Sequence, residues 1–301
     1  MKLCINFPMR ASKHYGRWIE GGRFGDVAVA VEENGFDGIA VSEHPFPHRD
    51  WLADGGHHAF DPFSALSAWA AVTDRIALIT AIVVAGYRSP YVTAKAATTL
   101  DIISDGRAVL GMGAGYLEAE FEVVGADFAR RGALFDEAIG AMRASWRGED
   151  FDGPNYRASG HEALPTPVQQ AGPPIWVGGN SRAARRRAVE LADGWAPIAQ
   201  DEVMAAVTRT PPLTDRAALA DQVADVAARR ASQDRAPLEI AFTPFESALM
   251  RTGMAEYGRA LRDALPGYTE AGVTWLVIEP MSRTLADFRR DLQVLAAELA
   301  R

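Results

Sequence analysis

Short runs of β-branched and large apolar residues alternate with longer stretches of helical periodicity along the whole chain, and no other feature constrains the fold as strongly. The strand-like runs fall at 3–7, 37–42, 76–82, 108–113, 175–178, 194–198, 238–243 and 274–279. Between them, Phe135, Ile139, Met142 and Trp146 step by four, three and four, and Leu285, Phe288, Leu292, Leu295 and Leu299 step alternately by three and four, each set giving one buried helical stripe. Strands separated by helices make a parallel sheet, because a parallel pair needs a long crossover. Eight strands close such a sheet, so the pattern predicts an α/β chain folded as a (β/α)8 TIM barrel with an insertion before strand five, at 147–174. The 301 residues form one such domain, which typically needs roughly 250. An open doubly wound sheet is the competing arrangement, but its glycine-rich turn after the first strand is missing where the sequence reads Pro8-Met9-Arg10.

Local signals agree with this frame. Asp61 before Pro62 is a helix start, since a carboxylate caps the first amides and proline fits the first helical position. Ser181 caps a second helix in the same way. Apolar residues at 48% and charged residues at 23% are ordinary for an ordered globular chain. A formal charge of −8 removes any general attraction for nucleic acid or anionic membrane, leaving room only for a local basic patch that holds a phosphate. The longest apolar run, 76–87, is shorter than the ~20 residues of a spanning helix, and no long apolar stretch follows the first charges, so a cytoplasmic chain is expected. Cys4, the single cysteine, sits in an apolar run and is expected to be a buried, inert thiol.

Catalytic groups of such barrels lie on the loops that follow the strands. The loop at 45–60 is rich in histidine and aromatic residues, while 147–174 reads as a surface excursion or a lid. Glu43 and His44 close strand two, and strand alternation turns only one of them, His44, toward the mouth. A histidine there is either structural or an acid–base group with a near-neutral pKa. Gly111, Gly113 and Gly115 flank the end of strand four, where missing side chains let a flat ring or a phosphate tail approach, or simply make a glycine turn. Gly178-Gly179-Asn180-Ser181 ends strand five at a helix start, where free amides and the helix dipole hold a phosphate, with Arg182 and Arg185 adding charge, or where a capped helix merely begins.

Six stretches in order make a specific resemblance: Gly35-Phe-Asp-Gly-Ile-Ala-Val-Ser-Glu-His44, Asp61-Pro-Phe, the run 80–90, Gly111-Met-Gly-Ala-Gly115, Ile175-Trp-Val-Gly-Gly179 and Ala192-Asp-Gly-Trp195. On these the chain resembles the luciferase-like monooxygenase superfamily, most closely its branch that uses the deazaflavin coenzyme F420. The resemblance implies a bulge with a non-prolyl cis peptide at the end of strand three, by position Ala81-Ile82, backing the cofactor ring. It implies cofactor contacts at Gly113, Ala114, Gly115, Val177, Gly178, Gly179 and Ser181, with the phosphate at the start of the helix after strand five. His44 becomes the candidate proton-transfer residue, and Phe46, Trp51 and Tyr116 become the apolar walls of a small-molecule substrate pocket. Trp195 is expected to fill the barrel. Ala114 stands where some flavin-using relatives carry arginine, which favours F420 over FMN. A homodimer is common among similar proteins.

Competing chemistries draw on the same loops. Glu43, His44, His48, His57 and His58 have the ligand types of a zinc or iron site, but no Glu-x-x-His helix motif accompanies them, and no metal is expected. Glu118 or Glu120 with Glu246 are a conceivable glycosidase pair, and the first two read equally well as helix-start or solvated carboxylates. A reduced-FMN monooxygenase and a non-catalytic flavin-binding barrel complete the alternatives.

Overall fold

The computed structural model of the chain describes residues 1–300. Eight parallel strands, β1 (Lys2–Asn6), β2 (Gly38–Val41), β3 (Ala77–Val84), β4 (Ala108–Gly113), β5 (Ile175–Gly178), β6 (Gly194–Ala196), β7 (Glu239–Phe242) and β8 (Trp275–Ile278), close into a barrel. Each pairs with its sequence neighbours, and β8 closes on β1 with Lys2 opposite Trp275 and Ile5 opposite Ile278. All eight strands stand where the alternation put them. β3 runs two residues further than its periodicity suggests, because an irregularity between Thr80 and Val83 shifts its register against β4. β6 stops at Ala196, two residues short of the apolar run, since Pro197 lacks the amide a ladder needs.

Strand alternation divides the core into two. Leu3, Ile5, Ile39, Leu78, Leu110, Ile175, Ile240 and Leu276 face outward into the large cluster shared with the helices. Cys4, Ala40, Ile79, Trp176, Ala241 and Trp275 face inward and fill the lumen, where Trp176 and Trp275 meet edge to face at 5.4 Å. Cys4 is fully buried and its thiol is pushed up by that burial, so it remains a protonated packing group. The helix Arg131–Arg147 buries Phe135, Ile139, Met142 and Trp146, the stripe its spacing predicts, and Leu285–Glu298 buries Leu285, Phe288, Leu292 and Leu295. Side chains of this size each stabilise the fold by roughly 1.5–3 kcal/mol when buried. Asp61 accepts the Ser64 amide and Ser181 the Ala184 amide, the two caps read from sequence.

The insertion before β5 packs against an outer helix. Its hairpin, Phe151–Asp152 paired with Arg157–Ala158, lies along the outer helix Arg131–Arg147, with Glu137 accepting the amides of Asn155 and Tyr156. Gln169 then bonds to Asp101 and to the Ala108 carbonyl at the start of β4. Gln169 thus stands at the end of the barrel opposite the strand C-termini. No helix among the described residues is long and apolar enough to cross a membrane.

Candidate functional site

Ser42, Glu43 and His44 continue β2 to the barrel rim, and the last two side chains diverge. Glu43 turns into the wall, where its Oε2 accepts the Val84 amide at 2.7 Å and Arg88 stands 2.5 Å from its Oε1. Burial pushes its carboxyl up, against the pull of the Arg88 guanidinium. Arg88 also reaches Asp61 at 2.8 Å, so this ion cluster ties the chain leaving β3 to the helix after β2.

His44 turns to the mouth, its Nδ1 3.0 Å from Glu120 Oε2. Glu120 is fully buried and collects two further donors, the Tyr87 hydroxyl at 3.0 Å and the Phe46 amide at 3.2 Å. Burial and the nearby Glu120 push the Tyr87 hydroxyl up, so it remains a donor. A carboxylate can only accept, so Glu120 holds the His44 tautomer with its proton on Nδ1 and leaves Nε2 with a free lone pair. Trp51 and His57 lie 4.7 Å from the His44 ring, and Tyr116 lies at 6.1 Å. Burial lowers His57 to about 4, so it stands beside His44 as a neutral ring, while burial and then Glu120 push Tyr116 up to about 12. Beside these residues opens a cleft of about 330 Å³ lined by Trp51, Tyr116, Glu120, Val207 and Arg209.

The strand beside β2 supplies the next stretch of wall, the irregular end of β3. The Ala81–Ile82 peptide is cis, at the bond expected for it. Ala81 packs on the lumen cluster, and the Ile82 side chain also lies inward, flat across β4 and β5. A Cβ on Gly113 would meet Ile82 Cδ1 at 2.4 Å, and one on Gly178 would meet it at 2.7 Å. These two glycines therefore make room for Ile82 itself, so the missing side chains are accounted for by packing within the protein. Gly115, at φ 83°, is required by the closeness of Phe121 and Val84, both 2.7 Å from its would-be Cβ. The outcome is a half-exposed apolar surface on the strand next to the one that carries His44.

At the end of β5 fewer amides are available than expected. Gly179, at φ 103°, donates to the Ala196 carbonyl, and Asn180 donates to Thr210 Oγ1. Trp195, fully buried, fixes the Gly179 carbonyl through Nε1 at 2.9 Å and acts as packing. What remains is the start of the helix Arg182–Leu191, whose first-turn amides have no partner within the helix. Arg185 is engaged with Gln222, and Arg182 lies on an outer groove with Arg186 and Arg229, so neither is drawn toward Ser181.

Several other sequence candidates separate. The Phe46 ring is 69% exposed and forms no wall; only its amide enters the site. His48 caps the helix Arg49–Ala53, and the His58 carbonyl accepts from His57, so the histidine loop gathers around His44 without forming a ligand set; no group of three metal-binding side chains occurs among the described residues. Glu118 is exposed and paired with Arg209, whereas Glu120 is neither solvated nor free, and Glu246 is committed to Tyr268 and Arg216. The glycosidase pairing therefore has no counterpart. Glu120 is the residue that sequence reasoning weighed only as a glycosidase, helix-start or solvated carboxylate and not as the partner of His44; its one signal was adjacency to Phe121, the apolar anchor of the same short helix.

A family model described as luciferase-like monooxygenase matches residues 1–298. An F420-dependent glucose-6-phosphate dehydrogenase from Nocardia farcinica is 35% identical over 179 residues, covering 56% of this chain and 51% of that one. The chain thus spans about half the length of that relative. Among solved structures, monooxygenase RslO1 from Streptomyces bottropensis superposes with a TM-score of 0.79 at 21% identity, over 100% of this chain and 99% of that one. An F420-dependent secondary alcohol dehydrogenase in complex with an F420–acetone adduct gives 0.74 at 16% identity, over 99% of both chains. At these identities the structural likeness speaks for the fold.

Proposed function

Since the chain belongs to the luciferase-like monooxygenase family, we propose that it is an oxidoreductase that binds coenzyme F420 in the barrel mouth and exchanges a hydride with a small organic substrate. The observation that carries this reading is the His44–Glu120 pair, set among aromatic rings at the end of the strand beside the half-exposed Ala81–Ile82 surface. The choice of F420 is supported by the similarity to F420-dependent dehydrogenases and by Ala114 in place of a phosphate-binding arginine.

The residues present fit such a coenzyme. Ala81 and Ile82 offer an apolar, half-exposed surface to one face of a planar ring, and the helix start at Ser181 offers unpaired amides to its phosphate. When bound, a deazaflavin supplies a two-electron hydride acceptor or donor. The rest is the work of the protein. Glu120 orients the His44 ring and stabilises the imidazolium formed when Nε2 takes a proton, for example from a substrate hydroxyl whose carbon gives up the hydride. Trp51 and Tyr116 exclude water from that nitrogen, and His57, being neutral, adds no opposing charge.

Parallel fluorescence titrations with F420 and FMN test the cofactor. F420 is expected to bind and FMN to bind much more weakly; FMN binding alone would replace this reading by the flavin monooxygenase. His44→Ala is expected to leave F420 affinity nearly intact while suppressing turnover by roughly 10²–10⁴-fold. Undiminished turnover would remove His44 from the chemistry.

A further inference from the structure

The wall of the mouth formed by β1 and β8 carries polar groups that the reading above does not use. Asn6 is the last residue of β1, two positions beyond the lumen-facing Cys4, and Glu279 follows β8 four positions beyond the lumen-facing Trp275. Strand alternation therefore sets both inward, in the layer above the packed lumen. Asn6 Nδ2 donates to Glu279 Oε2 at 3.1 Å, and the Met9 amide donates to Glu279 Oε1 at 3.1 Å. Asn6 is 93% buried, being only 7% exposed, yet its Oδ1 has no hydrogen-bond partner. A buried amide oxygen left unpaired is costly, and natural structures rarely keep one without a use. Among the described residues no donor reaches it.

We propose that Asn6 and Glu279 form a substrate subsite that selects a neutral hydroxyl group, the hydroxyl donating to Asn6 Oδ1. This deepens the oxidoreductase reading and rests on the mouth being its substrate site. The chemistry of the pair argues for a neutral group. A substrate carboxylate would meet the Glu279 carboxyl and the lone pairs of Asn6 Oδ1. A substrate ammonium would share the wall with Arg10, whose positive charge already acts on Glu279. A carbonyl has no hydrogen to give, so it leaves Asn6 Oδ1 as unpaired as before.

The test uses cyclohexanol and cyclohexanone, a matched alcohol and ketone, with affinities read by saturation-transfer NMR on the full chain, with and without F420. The wild type is expected to bind the alcohol roughly 3- to 10-fold more tightly than the ketone, the worth of one hydrogen bond to a buried acceptor. Asn6→Leu is expected to abolish this preference. Glu279→Gln keeps the side-chain volume and provides a second, milder variant. Its oxygen can accept from Met9 while its amide donates to a flipped Asn6, which satisfies Oδ1 internally and turns the Asn6 amide hydrogens to the mouth, so the preference is expected to reverse toward the ketone. Equal binding of both probes by the wild type, binding of neither, or an alcohol preference that survives in folded Glu279→Gln would each overturn the subsite. Failure of the F420 titration with an intact alcohol preference would instead overturn the cofactor reading and leave the subsite standing.

Discussion

Replacing Glu120 by glutamine isolates what its second oxygen does. In the native site three donors converge on two oxygens: His44 Nδ1 and the Tyr87 hydroxyl on Oε2, and the Phe46 amide on Oε1. Glutamine keeps one oxygen and must place its amide nitrogen on one side or the other. With the nitrogen toward Phe46, two N–H groups face each other, and a backbone amide cannot turn away. With the nitrogen toward His44 and Tyr87, the tyrosine hydroxyl rotates to accept, and the imidazole moves its proton from Nδ1 to Nε2. The second arrangement leaves no donor facing a donor and is expected to prevail. Losing hydrogen bonds to a charged acceptor costs roughly 1–3 kcal/mol of stability, which a domain of this size tolerates. The catalytic effect is larger, because a protonated Nε2 cannot take a proton; turnover is expected to fall by roughly 10²–10⁴-fold with cofactor affinity nearly unchanged.

The assay needs no substrate. Nitrogen-15 spectra of histidine-labelled protein distinguish a protonated from an unprotonated ring nitrogen, and the chain has only six histidines to resolve, with His44→Ala assigning the relevant pair. The wild type is expected to show a protonated Nδ1 in neutral His44, and Glu120→Gln a protonated Nε2. A variant that keeps the native tautomer, or that turns over at the native rate, would refute the claim that Glu120 acts through the His44 proton.

Two further outcomes follow from the same geometry. Gly179→Val forces a β-branched residue to φ 103° in the turn between β5 and the helix start that carries the expected phosphate site, and it is expected to weaken F420 binding in a fluorescence titration by tenfold or more; unchanged affinity would locate the phosphate elsewhere. His57, lowered from an ordinary value near 6.5 to about 4 by burial, binds fewer protons folded than unfolded between those values. Its contribution to stability is thus complete above about 6.5 and lost as the pH falls toward 4, up to about 3 kcal/mol in all. Glu279, raised to about 7, runs the other way, contributing fully below its ordinary 4.5 and losing that contribution as the pH rises through 7. Urea melts across pH 4–7 should therefore show His57→Gln losing less stability on acidification than the wild type, with Glu279 common to both; parallel curves would contradict a buried, neutral His57.

The barrel was legible because its signals are local. A strand shows itself by runs of β-branched residues, a helix by steps of three and four, and the caps at Asp61 and Ser181 lie within three residues of the amides they satisfy. His44 was legible as a polar residue at a strand end, and the cis bond at Ala81–Ile82 through family resemblance alone, since periodicity continues straight through it. What escaped are groups whose environment comes from distant parts of the chain. Glu118 and Glu120 both stand in the first turn of one helix, yet one is exposed and the other is sealed beneath His44, 76 residues away. Gly113 looked like an opening because no local window contains the Ile82 side chain that lies against it. Asn6 and Glu279 are 273 residues apart and meet only because β8 closes on β1. Their inward placement was nonetheless implicit in the strand alternation counted from Cys4 and Trp275. In a closed barrel, once the lumen-facing parity of each strand is known, the polar residues in the last inward layer are the ones to read for chemistry, because the packed layer beneath them leaves them facing only the mouth.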